Sequence, residues 1–304
     1  LDFVYANPGH SEAAAFLMSA ARLMERKENP EEAIMLWLRL AEEYPGSNLA
    51  SDALFLAGVT TYRLSDYAQA LTLFQRGLIF STEAEAQARA YLWIGKTQQK
   101  LGDTEAMQDV WQQAQSANPT GYYSERARDL LEGSEPFVPP SIYSPEIDAA
   151  SELAEAISWL RITFDLPANT DLEDLGPLQD DLRIQRGREF WELGLYNEAR
   201  LEFESLRTDV SQSAADSFRL ANYMRNLGLY RPAIFAARQV LELAGMESHA
   251  DSLHAPAYFD HIRYGTYYSD LVEPIATAND FHPLFIYSVM RQESLFEGFV
   301  LSTA

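Results

Sequence analysis

A large aromatic residue recurs at a fixed spacing of 37 residues in the first third of the chain, at Trp37, Phe74 and Trp111. Three small residues repeat with the same spacing, and they are Ala21, Gly58 and Gly95. A period of this length is the signature of stacked structural repeats, in which each unit buries its apolar face only against its neighbours. The first third of the chain is therefore predicted to fold as a repeat array.

The small and large residues of this period indicate how the helices pack. A small residue in one helix lets the next helix approach, and the aromatic side chain fills the space between successive pairs, as in tetratricopeptide repeats. Turn signals at residues 27–30, 64–67 and 101–104 each divide two helices. We describe the repeats as tetratricopeptide-like, because the usual period is about 34. The aromatic row could instead stack on a ligand, but packing between repeats is the favoured interpretation.

Beyond residue 133 the helical pattern stops and then resumes. Three prolines between residues 134 and 141 exclude a helix there, because proline lacks a backbone N–H and fixes φ. Apolar residues at helical spacing return in residues 147–164, before a loop at 167–177 that is rich in Asp and Asn. Near-duplicate turns at 193–199 and 227–233 then predict two more helix pairs.

The predicted fold is all-α, because no stretch alternates apolar and polar residues as a half-buried strand does. We predict a tetratricopeptide-like α-superhelix over residues 1–133, a proline-rich linker at 134–145 and a second superhelical segment at 146–250. Residues 255–304 follow as a separate helical region.

Composition excludes several classes of partner and cofactor. The chain has 23 Lys and Arg against 45 Asp and Glu, a net charge of −22, which repels nucleic-acid phosphates. No apolar run approaches the roughly 18 residues needed to span a bilayer. The chain has no cysteine, and it has no glycine loop of the phosphate-binding type. Gly187, Gly194 and Gly228 are interpreted as packing or turn glycines.

The histidines do not form a recognisable metal motif. The four that cluster loosely in the sequence are His249, His254, His261 and His282. None of them lies at the spacing of a helical zinc pair, and no His-Glu-x-x-His sequence occurs. We therefore expect no metal, no other cofactor, no nucleic-acid partner and no membrane span.

Glu293 is the strongest candidate for a catalytic residue. Met290, Val289 and Ile286 precede it by three, four and seven residues, so the four side chains share one helical stripe. An apolar setting disfavours the charged form of a carboxyl group, which is the condition that a general acid needs at neutral pH. The alternative is a glutamate near a helix end that reaches into water, as most charged residues do.

The sequence around Glu293 resembles the opening of the catalytic domain of soluble lytic transglycosylases. That family shows a proline, an apolar helix, an (I/M)-R-Q-E-S core, an aromatic residue two positions after the serine, and an S-x-A segment. Here the matching residues are Pro283, 290–294, Phe296 and Ser302-Thr303-Ala304. Residues 267–272, with Ala276, resemble the helix that precedes this core in the family. The match covers about residues 255–304, and the remainder resembles the family only in architecture.

The resemblance implies a function for the core residues. Glu293 would act as both acid and base in cleaving the MurNAc–GlcNAc bond of peptidoglycan, leaving a 1,6-anhydroMurNAc end without the use of water. Ser294 would bind substrate or orient the carboxylate, while Arg291 and Gln292 would brace the helix. The implied partners are peptidoglycan glycan strands, and the implied location is the cell envelope.

Two tyrosine pairs are further candidates for contact with sugar. They are Tyr122-Tyr123 and Tyr267-Tyr268, whose rings could stack on a pyranose face. Packing at the start of a helix is the favoured interpretation for both pairs.

The chain begins at Leu1 and stops at Ala304, where the family continues into a G-x-x-G-L-M-Q segment. We expect a trimmed piece of a longer protein that is inactive by itself, with Glu293 partly exposed. The stretch from about Leu295 is expected to be poorly packed or held by other contacts. The alternative function is a tetratricopeptide scaffold that binds protein partners and carries a non-functional catalytic remnant.

Overall fold

The chain divides into two compact units, Leu1–Val138 and Pro139–Ala304. The computed structural model describes residues 2–135, 138, 143–144 and 147–300. The division falls inside the predicted proline-rich linker, much of which lies outside the described residues, as does the predicted Ser302-Thr303-Ala304 segment. Every regular element within the described ranges is a helix, which confirms the all-α prediction.

The first unit is a row of helices in which each packs against the next along the chain. Its helices are α1 (Asp2–Ala6), α2 (Ala13–Arg26), α3 (Pro30–Glu43), α4 (Ala50–Arg63), α5 (Tyr67–Phe80), α6 (Ala84–Leu101), α7 (Thr104–Ala117) and α8 (Tyr122–Glu132). The three predicted turns separate α2 from α3, α4 from α5 and α6 from α7. Asp66 and Asp103 cap the N-termini of α5 and α7 by accepting backbone N–H groups, which explains why these turns end where they do.

The small residues of the 37-residue period face the aromatic residues of the adjacent helices, as predicted. A Cβ atom added to Gly58 would lie 2.6 Å from Phe74 Cε1, and one added to Gly95 would overlap the Trp111 indole. The Trp111 side chain is 1% exposed, and its indole N–H donates to the Leu92 carbonyl at 3.1 Å. The three aromatic residues are fully buried, so they pack between helices and present no ring to a ligand.

The second unit contains the remaining helices. They are α9 (Ala149–Thr163), α10 (Leu182–Glu192), α11 (Tyr196–Asp209), α12 (Ala214–Leu227), α13 (Tyr230–Leu243), α14 (His249–Ser252), α15 (Ala257–Arg263), α16 (Ser269–Ala278) and α17 (Pro283–Ser294), with a 3-10 helix at Gly176–Asp180. The near-duplicate turns separate α10 from α11 and α12 from α13, as predicted.

The helix pairs of the second unit repeat the packing of the first. A Cβ atom on Gly187 would lie 2.6 Å from Phe203 Cζ, so a glycine again admits an aromatic ring from the next helix. Gly194 and Gly228 have φ of +76° and +93° and follow α10 and α12. The interpretation of these glycines as packing or turn residues is therefore confirmed.

Residues 255–300 share their core with the superhelical segment that precedes them. Tyr258, Phe259 and Ile262 of α15 are buried in one cluster with side chains of α9, α12 and α13. The helices α16 and α17 pack on each other, and their buried residues join Ile234 of α13 in a smaller cluster. This region therefore depends on α13 for its packing, consistent with the expectation that two helices cannot enclose a core alone.

Candidate functional site

The helix that carries Glu293 begins and ends at well-defined points. Proline is favoured in the first turn of a helix, and α17 begins at Pro283 with the His282 side chain accepting the Leu284 N–H at 3.3 Å. The helix ends at Ser294, where Leu295 and Phe296 both adopt left-handed backbone conformations, with φ of 51° and 62°. Each such residue costs about 1–2 kcal/mol when it is not glycine, so the packing beyond the turn must offset this cost.

That packing is supplied by Phe296, within the turn, and by Glu297, which follows it. Phe296 is buried against Tyr267, with ring centroids 5.2 Å apart, and its carbonyl accepts the Tyr268 hydroxyl at 3.2 Å. Glu297 is also buried, at 5% exposure. The stretch beyond Leu295 is therefore held by other contacts, which is one of the two outcomes expected from the sequence.

Glu293 itself is exposed and lines a pocket of about 210 Å³ with Arg231, Ser294 and Val300. The apolar stripe behind it is only partly covered, since Val289 is 45% exposed. The carboxylate is thus solvated, as expected for the chain by itself, and the described residues do not provide the desolvated setting that a general acid requires.

The neighbours of Glu293 in the motif have distinct contacts. The Ser294 hydroxyl donates to the Met290 carbonyl at 3.3 Å, so it bonds to its own helix. Arg291 donates from Nε to the Arg263 carbonyl at 2.9 Å, which braces α17 against the end of α15. Gln292 is exposed and lines the same pocket as Glu293.

Glu297 is a site residue that sequence reasoning missed. Its carboxylate lies 3.4 Å from Arg200 of α11 and 3.4 Å from Arg231 of α13. A buried carboxylate requires such partners, because removing a charge from water is costly unless it is paired. The two arginines are distant in the sequence, so no local pattern could have identified the cluster. The ion pairs tie the turn after α17 to α11 and α13.

Tyr267 and Tyr268 are packing residues. The Tyr267 ring stacks on Tyr230 with centroids 3.9 Å apart, and its hydroxyl donates to the Ile262 carbonyl at 2.8 Å. Burial raises the pKa of Tyr267 well above its ordinary value, which marks its setting as apolar. The other predicted pair is Tyr122-Tyr123, and its Tyr122 side chain is 61% exposed, so packing does not bury that ring.

The histidines are separated from one another by their partners. The Nδ1 atom of His261 lies 2.6 Å from a Glu152 carboxylate oxygen, and that of His249 lies 3.3 Å from the Tyr264 hydroxyl. In the part of the chain that the structure describes, no three His, Asp or Glu side chains are arranged to hold a metal ion together. Over the same residues, no helix combines the length and apolar character needed to cross a membrane.

Comparison with known proteins agrees with the repeat packing of the first unit. Residues 88–120 match the model of the tetratricopeptide repeat, and this span covers most of α6 and α7. The class of protein is therefore all-α and tetratricopeptide-like. No curated protein matches the chain, and none of the comparisons shows a lytic transglycosylase domain.

Solved structures with detectable similarity include one titled "TPR2AB-domain:pHSP90-complex of yeast Sti1". It is 11% identical, and the alignment covers 92% of this chain and 100% of that one with a TM-score of 0.34. A likeness at this level carries no conclusion about function.

Proposed function

We propose that this chain carries the acid/base glutamate of a peptidoglycan lytic transglycosylase on a tetratricopeptide-like scaffold. The observation that carries the proposal is the Met-Arg-Gln-Glu-Ser sequence at the end of α17, where Glu293 is exposed and lines a pocket. The buried anchor at Glu297 supports it further, because a catalytic carboxylate needs a fixed helix end.

A single carboxylate is sufficient for the proposed reaction. Protonated Glu293 would give its proton to the glycosidic oxygen as the bond between that oxygen and C1 of MurNAc breaks, and the sugar's N-acetyl oxygen would stabilise the developing cation. The carboxylate would then take the proton of the 6-hydroxyl while O6 bonds to C1. Glu293 ends protonated as it began, and no water is consumed.

Hydrolysis by the usual routes is less consistent with the site. Most glycosidases use a second carboxylate as nucleophile or base. The nearest acidic residue along the chain is Glu297, which is buried and paired with two arginines. A carboxylate held in this way is not available to attack a sugar or activate water. Among the described residues, Glu293 is the one acidic side chain that lines its pocket, which supports the single-acid reaction.

Digestion of purified sacculi by the full-length product of the gene tests the proposal. We expect release of anhydromuropeptides, loss of release in Glu293→Gln, and a milder decrease in Ser294→Ala, which removes a hydroxyl and not the acid. Glu192→Gln, at an exposed site at the end of α10, is the matched control and should retain full release. Release by Glu293→Gln at the control rate would exclude the proposed role. On the 304-residue chain alone we expect no clearing of sacculi, because Glu293 is solvated.

A second candidate function is a scaffold for protein partners, and one surface of the first unit favours it. The Lys96 Nζ atom lies 4.6 Å from the centroid of the Trp93 ring, and no carboxylate of the described residues lies within 4.0 Å of it. Arg89, which pairs with Asp52, lies over Phe55 at 4.1 Å, and this ring contacts Trp93. Burial lowers the pKa of Lys96, which indicates a partly desolvated cation. Cations held against aromatic rings fit an acidic, aromatic peptide.

Binding of a peptide of alternating Glu and Phe, followed by calorimetry, tests this second function. Lys96→Met should weaken binding at least tenfold, whereas Lys100→Met, at an exposed position one turn along α6, should change it less than twofold. Equal effects of the two substitutions would assign the binding to general charge, and the scaffold proposal would then lose its support.

A further inference from the structure

A second pocket adjoins the Glu293 pocket at the end of α17. Its volume is about 300 Å³, and the two pockets share Leu295 as a wall. The lining of the second pocket includes the apolar side chains Phe235, Leu241 and Leu295, and it also includes Arg263 and Arg291. A concave site of this size with an apolar wall and a few convergent polar groups is typical of small-ligand sites.

Arg291 has guanidinium N–H donors that no described residue of the pocket accepts. Its Nε atom donates to the Arg263 carbonyl at 2.9 Å, and its guanidinium lies 4.3 Å from the centroid of the Tyr264 ring. These two contacts fix the plane of the guanidinium without using its terminal amino groups, for which the described residues provide no hydrogen-bond partner. No carboxylate among them lies within 4.0 Å of Arg291.

The other arginines of the pocket are already neutralised. Arg238 pairs with Glu242 at 2.6 Å, and Arg263 pairs with Asp260 at 3.3 Å while donating to the Ser252 hydroxyl at 2.8 Å. Arg291 is therefore the one arginine of this pocket whose charge has no counterpart in the described chain.

His249 also lines the pocket. Its Nδ1 atom lies 3.3 Å from both the Ser252 and the Tyr264 hydroxyl groups. Burial lowers the pKa of His249, and the nearby arginines act in the same direction. Asp260 opposes this shift, and the net lowering favours the neutral imidazole as a hydrogen-bonding group of the pocket.

We propose that this pocket binds an organic carboxylate, held end-on through both terminal amino groups of Arg291, with the apolar body of the ligand against Phe235 and Leu241. A planar carboxylate matches the two parallel N–H donors of a guanidinium. A monoanion fits better than a phosphate, because only the positive charge of Arg291 is uncompensated. Glu247 also lines the pocket, and its carboxylate would repel a second negative charge. The ligand is either a free carboxylate or the C-terminus of a peptide, and the inference is independent of the role of Glu293.

The test uses the full 304-residue chain and pairs of matched probes. N-acetyl-leucine and N-acetyl-leucinamide differ only in the carboxylate, and an acetylated tetrapeptide ending in leucine is used with a free or an amidated C-terminus. Binding is followed through the side-chain N–H signals of Arg291 by NMR, with inorganic phosphate as a competing anion. We expect each acid to bind at least tenfold more tightly than its amide, and phosphate to bind more weakly than either acid.

The variants separate the pocket from general charge. Arg291→Gln should weaken binding of the acids at least tenfold, and Arg291→Lys should do so less severely, because lysine keeps the charge and loses the planar pair of donors. Arg76→Gln, at a partly exposed arginine of the first unit that pairs with Glu42, should leave binding unchanged. Circular dichroism checks that each variant is folded, and the comparison of acid with amide on the unaltered chain needs no variant.

The possible results either distinguish a peptide C-terminus from a free carboxylate as the ligand or contradict the proposal. Tight binding of the peptide acid with weak binding of the free acid assigns the site to a chain end, and the reverse assigns it to a small metabolite. Equal binding of acid and amide, tighter binding of phosphate, or full binding by Arg291→Gln would overturn the carboxylate site.

Discussion

Gly95→Ala is the substitution that most directly probes the packing between the two helices of a repeat. A methyl group at this position would lie 3.0 Å from Trp111 Cε2 and closer still to Nε1 and Cδ1, whereas carbon atoms pack at about 3.5–4.0 Å. The indole would have to move by roughly 1 Å, the difference between these distances, and it is fully buried. The same movement would break the hydrogen bond from the indole to the Leu92 carbonyl.

The expected change in the free energy of unfolding combines two destabilising contributions and one stabilising contribution. Overpacking of a core costs about 1–3 kcal/mol, and a buried donor left without its acceptor costs about 1–3 kcal/mol more. Replacing glycine by alanine in a helix interior recovers about 1 kcal/mol. Gly95→Ala should therefore destabilise the protein by about 1–5 kcal/mol, and Gly95→Leu should be worse.

Gly77→Ala is the matched control. Gly77 lies within α5 of the same unit, and the nearest atom to an added methyl group would be Leu54 Cβ at 3.5 Å, which is ordinary contact. Gly77→Ala should be neutral or stabilising by up to about 1 kcal/mol. Urea unfolding followed by circular dichroism compares the variants, and hydrogen exchange of the α6 and α7 amides locates the effect. If Gly95→Ala is as stable as Gly77→Ala, the assignment of small and large partners is wrong.

Three further predictions extend the test to the second unit. Gly187→Ala should lower the urea midpoint as Gly95→Ala does, because its methyl group meets the same kind of overlap; an unchanged midpoint would contradict the shared packing. Glu297→Ala should cost about 2–4 kcal/mol by leaving two arginines without their buried partner, whereas Glu192→Ala at an exposed site should stay within about 0.5 kcal/mol. Desolvation and a hydrogen bond to Glu273 raise the pKa of Tyr143 to about 12, so folding favours the neutral phenol. The stability that Tyr143 contributes to the folded protein is therefore fully present below about pH 10, and it is lost as the pH rises towards 12. Tyr143→Phe should flatten this alkaline loss in unfolding experiments, and an unaltered slope would refute the assignment.

The sequence predicted the helix pairs because their signals are local or strictly periodic. The turns that precede α3, α5 and α7, and the alternation of small and aromatic residues, are read directly from spacing. Pro283 likewise marked the start of α17. These features depend on the chain within one or two helices, where propensity and apolar pattern agree.

The parts that sequence could not predict depend on residues far apart in the chain. Nothing near Glu297 indicates that it is buried, because its partners Arg200 and Arg231 lie on other helices. The left-handed turn at Leu295 and Phe296 is also unexpected, since neither residue favours that conformation. The exposure of Glu293 follows from where α17 ends, which is set by the left-handed residues Leu295 and Phe296 and by the burial of Phe296 and Glu297.

The central claim, that Glu293 cleaves glycan strands without water, is tested most directly by isotopic labelling. Sacculi are digested by the full-length gene product in water enriched in oxygen-18, and the released MurNAc ends are analysed by mass spectrometry. The proposed reaction predicts 1,6-anhydroMurNAc ends that carry no label, and no such ends from Glu293→Gln. Labelled reducing ends, unlabelled release that persists in Glu293→Gln, or no release at all would contradict it.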